Sequence, residues 1–320
     1  GGDSRINADA GSSLTIDAGN TGASSIIGTG ASRTLTVGGA GNVAVNSVIG
    51  SNIGTLVKDG TGTLTLHGDY AAPTSVAVKD GTLNLNMGVG GLTSATTVTV
   101  GDSTGAANSA TVLLQQSNQI ADAAAVTVNS DGLFNVNSQS ETIGSIAGAG
   151  NIVLGTGQLI AGGNNSNTTF SGTLAGAVGS ALTKTGTGTL TLSSNVNGGP
   201  SGDFLGTLNL TAGTLALLSA TNTFAGTLNI AAGTTLKLTD ATLNIANLNL
   251  TGAGTITLDF SGTSSLLNVT NTLSITSSIT LNIINWQNAA DYFYALNWSG
   301  AVLNLRGSAP MSQVVFASPP

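Results

Sequence analysis

Cysteine is absent from this chain of 320 residues, and charged and aromatic side chains are scarce. Without cysteine, disulfide bonds and thiolate metal ligands are excluded. Charged residues make up 7% of the sequence, whereas a typical soluble domain has about 25%. The net charge is −7 and the basic residues are not clustered, which excludes an electrostatic surface for nucleic acid or anionic membrane. No apolar run is long enough for a transmembrane helix, so we expect no direct membrane insertion.

Aromatic residues contribute only 4% of the sequence, whereas 40% of it is hydrophobic and 46 residues are glycine. A thick core needs bulky side chains, so we expect a thin core built from rows of aliphatic side chains. The chain starts at a glycine with no basic-then-apolar leader, and we expect it to be a processed or excised piece.

A short tripeptide, Gly-Thr-Leu, recurs along the chain at near-constant spacing. The steps from Gly62 to Gly81, Gly188 to Gly206 and Gly206 to Gly226 are nearly equal in length. A period of about 20 residues indicates stacked repeats, because one copy cannot bury its own apolar face. The copies begin at Gly54, Gly62, Gly81, Gly172, Gly188, Gly206, Gly213 and Gly226.

Between the glycines, aliphatic residues alternate with Thr and Asn over three to six positions, which is typical of strands with one buried face. Strands this short at a fixed period favour a parallel β-solenoid (β-helix) over a sandwich or a barrel. Dividing the length of the chain by this period predicts about 14–16 coils. We also expect stacked amides along the axis from Asn84, Asn209, Asn229, Asn244 and Asn249.

Half of all aromatic residues fall near the end of the chain, between Trp286 and Phe316. The last coil of a solenoid exposes an open sheet edge and a cross-section of the core, which a different sequence must cover. We therefore predict two domains, a β-solenoid over residues 1–283 and a cap or assembly segment over residues 284–320. The predicted assembly interface combines this segment with the first strands and comprises Trp286, Tyr292, Phe293, Tyr294, Trp298, Phe316, Ile6, Leu14 and Ile16.

Two stretches carry a recognisable motif: Leu-Val-Lys-Asp-Gly-Thr-Gly-Thr-Leu-Thr-Leu at residues 56–66 and Leu-Thr-Lys-Thr-Gly-Thr-Gly-Thr-Leu-Thr-Leu at residues 182–192. They resemble the autotransporter-associated β-strand repeat (passenger-associated transport repeat) of Gram-negative bacteria. The segment at residues 307–311 is similar to the end of the repeat region in members that are sorted by a C-terminal Pro-Glu-Pro tail. The resemblance implies a right-handed solenoid at the outer cell surface or outside the cell.

Candidate catalytic residues are few, and each has a structural explanation. Asp59 and Asp80 both precede glycine, and Asp-Gly is a common turn sequence. This position indicates a role in turns rather than the paired catalytic carboxylates of a glycosidase. His67, the only histidine, follows a strand and has no partner motif for a triad or a metal site. Repeated Thr-x-Thr pairs suit an ice-ordering array, but Asn interrupts them at Asn84, Asn209 and Asn229.

The sequence therefore predicts a non-enzymatic secreted structural protein with no catalytic residues, cofactor or metal. We expect it to assemble with itself, end to end, into an extracellular filament or surface layer, as in a biofilm matrix. The first alternative is a monomeric cell-surface adhesin or stalk, whose partner would be a surface polysaccharide or a host surface. A polysaccharide-acting β-helix enzyme is a minor alternative.

Overall fold

Parallel strands and tight turns make up the computed structural model of the chain. It describes residues 3–17, 26, 32–50, 52–68, 72–88, 90–194, 197, 202–219, 221–261, 265–276, 279–285, 292–295, 298–300, 303–307 and 314–316. Contacts divide the chain into two compact units, unit 1 over residues 1–159 and unit 2 over residues 160–320. Among the described residues there is no helix, and hence none that could cross a membrane.

Unit 1 contains fifteen described strands, most of them four or five residues long because a glycine, asparagine or aspartate soon turns the chain. They are β1 (Ser4–Ala8), β2 (Ser13–Ile16), β3 (Arg33–Gly39), β4 (Asn42–Val45), β5 (Ile53–Lys58), β6 (Thr63–Leu66), β7 (Ser75–Val78), β8 (Gly81–Leu85), β9 (Thr97–Val100), β10 (Ala110–Leu114), β11 (Ala125–Val128), β12 (Gly132–Asn135), β13 (Ser140–Ile143), β14 (Ser145–Gly148) and β15 (Asn151–Val153).

Fourteen of the fifteen strands of unit 1 alternate between two parallel sheets, and β13 belongs to neither of them. Sheet I has the order β1-β3-β5-β7-β9-β11-β14, and sheet II has the order β2-β4-β6-β8-β10-β12-β15. Isolated parallel bridges join Ile26 to Ile49 and Leu92 to Ile120 on the remaining side of the coil. Each turn of the chain therefore contributes one strand to each of these two sheets.

Strand β16 (Gln158–Ala161) contains the division between the units, and unit 2 holds the strands that follow. They are β17 (Thr168–Phe170), β18 (Thr173–Ala175), β19 (Ala181–Lys184), β20 (Thr189–Leu192), β21 (Thr207–Leu210), β22 (Thr214–Leu218), β23 (Thr221–Ala231), β24 (Thr235–Thr239), β25 (Thr242–Thr251), β26 (Gly254–Ser261), β27 (Leu266–Ile275), β28 (Ile279–Ile284), β29 (Tyr292–Ala295), β30 (Trp298–Gly300), β31 (Leu303–Gly307) and β32 (Val314–Phe316).

Most strands of unit 2 also belong to two parallel sheets, and β18 is in neither of them. Sheet III has the order β17-β20-β22-β24-β26-β28-β31, and sheet IV has the order β19-β21-β23-β25-β27-β29-β32, with β30 beside β27. The described strand pairs are parallel in both units, which confirms the predicted parallel β-solenoid.

The spacing between stacked turns is less regular than the constant period that the sequence predicts. Leu133 pairs with Asn151, which is a short step along the chain, whereas Ile6 pairs with Val37, which is a much longer one. Insertions at the corners account for the longer steps. Sheets I and III hold seven described strands each, fourteen in all, against the 14–16 coils that the sequence predicts.

The core of each unit consists of aliphatic rows that run along the stack. In sheet I of unit 1, one inward row is buried throughout, and its members are Leu35, Leu56, Val76, Val98, Val126 and Ile146. In unit 2 the matching arrangement in sheet III is the leucine row Leu190, Leu215, Leu236 and Leu258. Each fully buried side chain contributes about 1.5–3 kcal/mol, so stacking rather than any single turn stabilises the coil.

The predicted asparagine stack forms in unit 2 but not with all five residues. The Nδ2 of Asn229 donates to Oδ1 of Asn209 at 2.7 Å, and Asn249 donates to Asn229 at 2.8 Å. Asn244 belongs to a second row, between Thr223 and Asn268. Asn84 was wrongly included, since its neighbours in sheet II are Thr65 and Leu113. The corner insertions shift which side chains meet.

Candidate functional site: an open first turn and two lysine-capped corners

The first turn of unit 1 leaves apolar side chains uncovered. Leu14 on β2 is 38% exposed and Ile16 is partly exposed, whereas their register partners in the next turn, Val43 and Val45, are 2% and 0% exposed. On β1, Ile6 is likewise partly exposed beside the buried Val37. The three residues predicted at this end thus all belong to the first turn and are more exposed than their register partners in the second turn.

The backbone at this end is also open along one side of each strand. Within the described part of the chain, β1 pairs only with β3, and β2 pairs only with β4. An edge of this kind carries N–H and C=O groups that can pair with another strand. The first turn therefore offers both unpaired backbone and uncovered aliphatic side chains.

A salt bridge and a hydrogen bond from charged side chains connect this first turn to the turns that follow. Arg5 forms a two-pronged salt bridge with Asp59, with both N–O distances at 2.7 Å, although the two residues are far apart in the sequence. The bridge passes over Gly38, where an added Cβ would lie 1.9 Å from the Asp59 carboxylate. Asp3 also accepts a hydrogen bond from the amide of Thr34. The open end is therefore held in place although nothing in the described residues covers it.

The predicted aromatic part of the interface cannot be placed in the same way. Trp286 lies outside the described residues, as do the side chains of Tyr292, Phe293, Tyr294, Trp298 and Phe316. The backbone of the last four strands continues the parallel stacking, since β29 pairs with β27 and β31 pairs with β28. The boundary predicted at residue 284 stays a prediction, and the contacts place their own division between Leu159 and Ile160.

The lysine of each repeat motif has a definite structural role that the sequence reasoning missed. Lys58 ends β5 with its side chain buried, in the core row between Val37 and Val78. Its Nζ donates to the carbonyls of Asp59 at 2.8 Å, Gly60 at 2.5 Å and Asp80 at 3.1 Å. Burial lowers the pKa of this ammonium to about 8, against the opposing pull of the Asp59 and Asp80 carboxylates.

The second motif builds the same corner in unit 2. Lys184 ends β19, and its Nζ donates to the carbonyls of Thr185 at 2.7 Å, Gly186 at 3.0 Å and Ala212 at 3.3 Å. Gly186 has a φ of 68°, and a Cβ there would meet the Gly162 carbonyl at 1.9 Å. The motif Lys-x-Gly therefore specifies a corner in which the glycine allows the turn and the lysine satisfies the carbonyls that the turn leaves unpaired.

A third set of buried polar groups occupies a corner of unit 1 alone. Glu141, the only glutamate in the chain, accepts hydrogen bonds from the amides of Gln119 at 2.7 Å and Ile120 at 3.3 Å. The Gln119 side chain in turn bonds both the amide and the carbonyl of Met87. Burial raises the pKa of Glu141 to about 7, although these amide donors oppose the shift. Through these hydrogen bonds, Met87, Gln119 and Glu141 connect three successive turns at one corner.

The residues considered for catalysis have structural partners. Asp59 is bound to Arg5, and Asp80 accepts a hydrogen bond from the amide of Gly81 at 2.9 Å. The Nδ1 of His67 lies 3.2 Å from Nδ2 of Asn86. In the ranges that the structure describes, no three His, Asp or Glu side chains converge as metal ligands would.

No family model, curated protein or solved structure matches this chain.

Proposed function

We propose that the chain is a secreted, non-enzymatic structural subunit that stacks end to end into an extracellular filament or surface layer. The first turn carries the proposal, because among the described residues β1 and β2 each pair on one side only and the side chains of Ile6, Leu14 and Ile16 are partly exposed. A solenoid end of this kind is completed by one more parallel turn. A second copy of the same chain can supply that turn from its own last coil.

The other half of the joint would come from the end of the chain. Among the described residues, β31 pairs only with β28 and β32 pairs only with β29, so the last turn also has free strand edges. Joining unlike ends repeats without closing, which produces a filament rather than a ring. In this proposal residues 284–320 bring their aromatic side chains to the joint, and the stacked coils are right-handed.

The surface location rests on the two motif copies, which resemble an exported repeat of Gram-negative bacteria. The corners built by Lys58 and Lys184 give that motif a physical role in shaping coils. The absence of cysteine and the scarcity of charge suit a rod outside the cell, where stability comes from continuous ladders of backbone hydrogen bonds. A scaffold role without catalysis agrees with the structural partners of Asp59, Asp80 and His67.

A monomeric stalk or adhesin is the second candidate, and the Arg5–Asp59 salt bridge favours it. A first turn that is already fastened to its neighbours does not need a partner to stay ordered. Charged side chains beside a free edge are also a known protection against edge-to-edge pairing. The two candidates differ in whether purified chains associate.

The deciding experiment is negative-stain electron microscopy and analytical ultracentrifugation of the chain and its Leu14→Asp variant. A charge on this half-exposed side chain would oppose burial in a joint without disrupting the core. Thr15→Asp, at the next position on the same strand but facing outward, is the matched control. We expect filaments from the chain and from the control, and single particles from Leu14→Asp.

Single particles in all three samples would overturn the filament proposal and leave the stalk. Filaments that survive Leu14→Asp would show that this end does not form the joint. Deleting residues 286–320 then tests the opposite end, where loss of filaments is expected.

A further inference from the structure

A groove crosses the outer face of sheet III in unit 2, over strands β20, β22, β24 and β26, with a volume of about 500 Å³. Its floor is formed by outward-facing side chains, five of which are threonines. Thr189, Thr214 and Thr235 stand directly opposite one another in register on three successive turns. Parallel strands lie about 4.8 Å apart, so the hydroxyls repeat at that interval along the groove.

The hydroxyl groups in this groove are available to a ligand. Within the described ranges, the side chains of Thr189, Thr214 and Thr235 donate and accept no hydrogen bond. Each hydroxyl can donate one hydrogen bond and accept two. Elsewhere on unit 2 the outward polar side chains bond one another, as in the amide row that contains Asn229. The groove therefore has polar groups at a regular spacing whose bonding capacity is not used inside the protein.

One end of the groove holds a fixed pair of opposite charges. Lys237 and Asp259 lie 3.3 Å apart, with the lysine side chain 40% exposed and the aspartate side chain 9% exposed. Burial opposes ionisation of Asp259, but hydrogen bonds from Asn285, Ser261 and Lys237 lower its pKa below the usual value. The pair adds an oriented donor and acceptor without adding net charge, so the groove does not select for an anion or a cation.

Apolar surface completes the groove. Leu218 is 39% exposed, and Ala216 lies between Thr191 and Lys237 in the same outward row. Threonine also presents a methyl group beside each hydroxyl. A ligand that fits must therefore carry hydroxyls at a short regular repeat, an apolar C–H face between them and no net charge.

We propose that this groove binds a segment of a neutral polysaccharide chain. Sugar units supply the repeated hydroxyls and the apolar ring faces that the groove matches, and the chain direction follows the threonine row. None of the described residues that line the groove is aromatic, so stacking does not contribute and each site binds weakly. The site is separate from the proposed joint at the first turn, and binding does not require filaments.

The test is affinity electrophoresis and isothermal titration calorimetry of the purified chain with dextran and laminarin, two neutral polysaccharides, and with the anionic alginate. Thr214→Val and Thr235→Val are combined in one variant, because valine keeps the shape and suits a strand while removing the hydroxyl. Thr63→Val and Thr82→Val, an in-register pair on sheet II, form the matched control. Melting by circular dichroism verifies that both double variants fold.

We expect retardation by at least one neutral polysaccharide, about a tenfold weakening in the groove variant, and unchanged binding in the control. If the charged pair contacts the ligand, Lys237→Met also weakens binding of the polysaccharide. Binding of neither neutral polysaccharide, binding of alginate alone, or equal binding by both double variants would overturn the proposal. If the groove variant fails to fold, Thr239→Val at the same groove takes its place.

Discussion

Units 1 and 2 share one corner design but place their other polar side chains differently. Each unit has one lysine that caps the carbonyls of a glycine turn, Lys58 in the first and Lys184 in the second. Unit 1 adds buried polar groups at its corners, such as Gln119 and Glu141. Unit 2 has an outward row of hydrogen-bonded asparagines, the amide row that contains Asn229.

The difference shows that a coil can be held in two ways. Buried groups at a corner satisfy backbone amides that an irregular turn leaves unpaired, and they tolerate insertions of different length. In the amide row of unit 2, Asn209, Asn229 and Asn249 are equally spaced in the sequence. Unit 1 has longer and unequal steps, as from Val98 to Val126, and the outward contacts of Asn86 with His67 and Gln116 also span unequal steps.

Removing the shared corner is expected to have the largest effect. Lys58→Met and Lys184→Met each leave three carbonyls without their donor, so we expect a loss of about 2–4 kcal/mol in the free energy of unfolding. Urea denaturation followed by circular dichroism measures the loss. Lys79→Met, which removes an exposed lysine of unit 1, should stay within about 0.5 kcal/mol of the parent. Equal stability of all three variants would contradict the capping role.

The buried glutamate should make the stability of unit 1 depend on pH between about 4.5 and 7. The pKa of Glu141 is raised to about 7 from its ordinary value of 4.5, so its protonated form is favoured by folding. Stability from this group is complete below pH 4.5 and falls as the pH rises through 7, by at most about 3 kcal/mol.

Hydrogen exchange of peptides around residues 117–143 measures this effect, with Glu141→Gln as the comparison. The parent should exchange faster at pH 7.5 than at pH 5 after correction for intrinsic rates, and the variant should show a smaller change. An effect of the same size in both proteins would assign the pH response to other groups.

Breaking the amide row should weaken unit 2 by a smaller amount. Asn229→Ala removes two side-chain hydrogen bonds, and we expect a loss of about 1–2 kcal/mol. Asn249→Ala, at the end of the row, removes one of these bonds and should cost about half as much. Urea denaturation distinguishes the two variants. Equal losses would contradict the assignment of this stability to the two hydrogen bonds of the row.

The smallest expected effect concerns the residue that follows the lysine in each corner. Unit 1 has Asp59 next to its lysine, and unit 2 has Thr185 at the same motif position. Thr185→Asp should raise the pKa of Lys184, because a carboxylate beside an ammonium favours its charged form. Since the site is partly exposed, the gain in stability should be below about 1 kcal/mol. A carbon-13 NMR titration of the lysine side chains measures the pKa of Lys184. An unchanged pKa in Thr185→Asp would contradict this prediction.

Much of the fold was predictable from the sequence, because its determinants are local. Alternation of aliphatic residues with Thr and Asn predicts short strands, and the recurrence of Gly-Thr-Leu predicts stacking; both are confirmed. Ile6, Leu14 and Ile16 lie on β1 and β2, and their part in an assembly interface stays a prediction. The role of the aromatic segment stays a prediction.

The lysine and glutamate corners were not predicted, since burial of a charged side chain depends on groups distant in sequence. Lys58 meets the carbonyl of Asp80 in the next turn, and Glu141 meets the amides of Gln119 and Ile120 in the turn before it. The one available signal was the lysine at the same place in both motif copies. The groove on unit 2 also needs side chains from four strands at once.

The sequence by itself determined the kind of coil, because a two-residue alternation and a glycine at each corner are local instructions to the backbone. Only the tertiary structure decided which side chains meet, because the step between turns changes along the chain with the length of the corner insertions. That variation places Asn229 between two other asparagines but puts Asn84 beside a leucine. It also brings Arg5 to Asp59 over Gly38, the contact that holds the open turn in place.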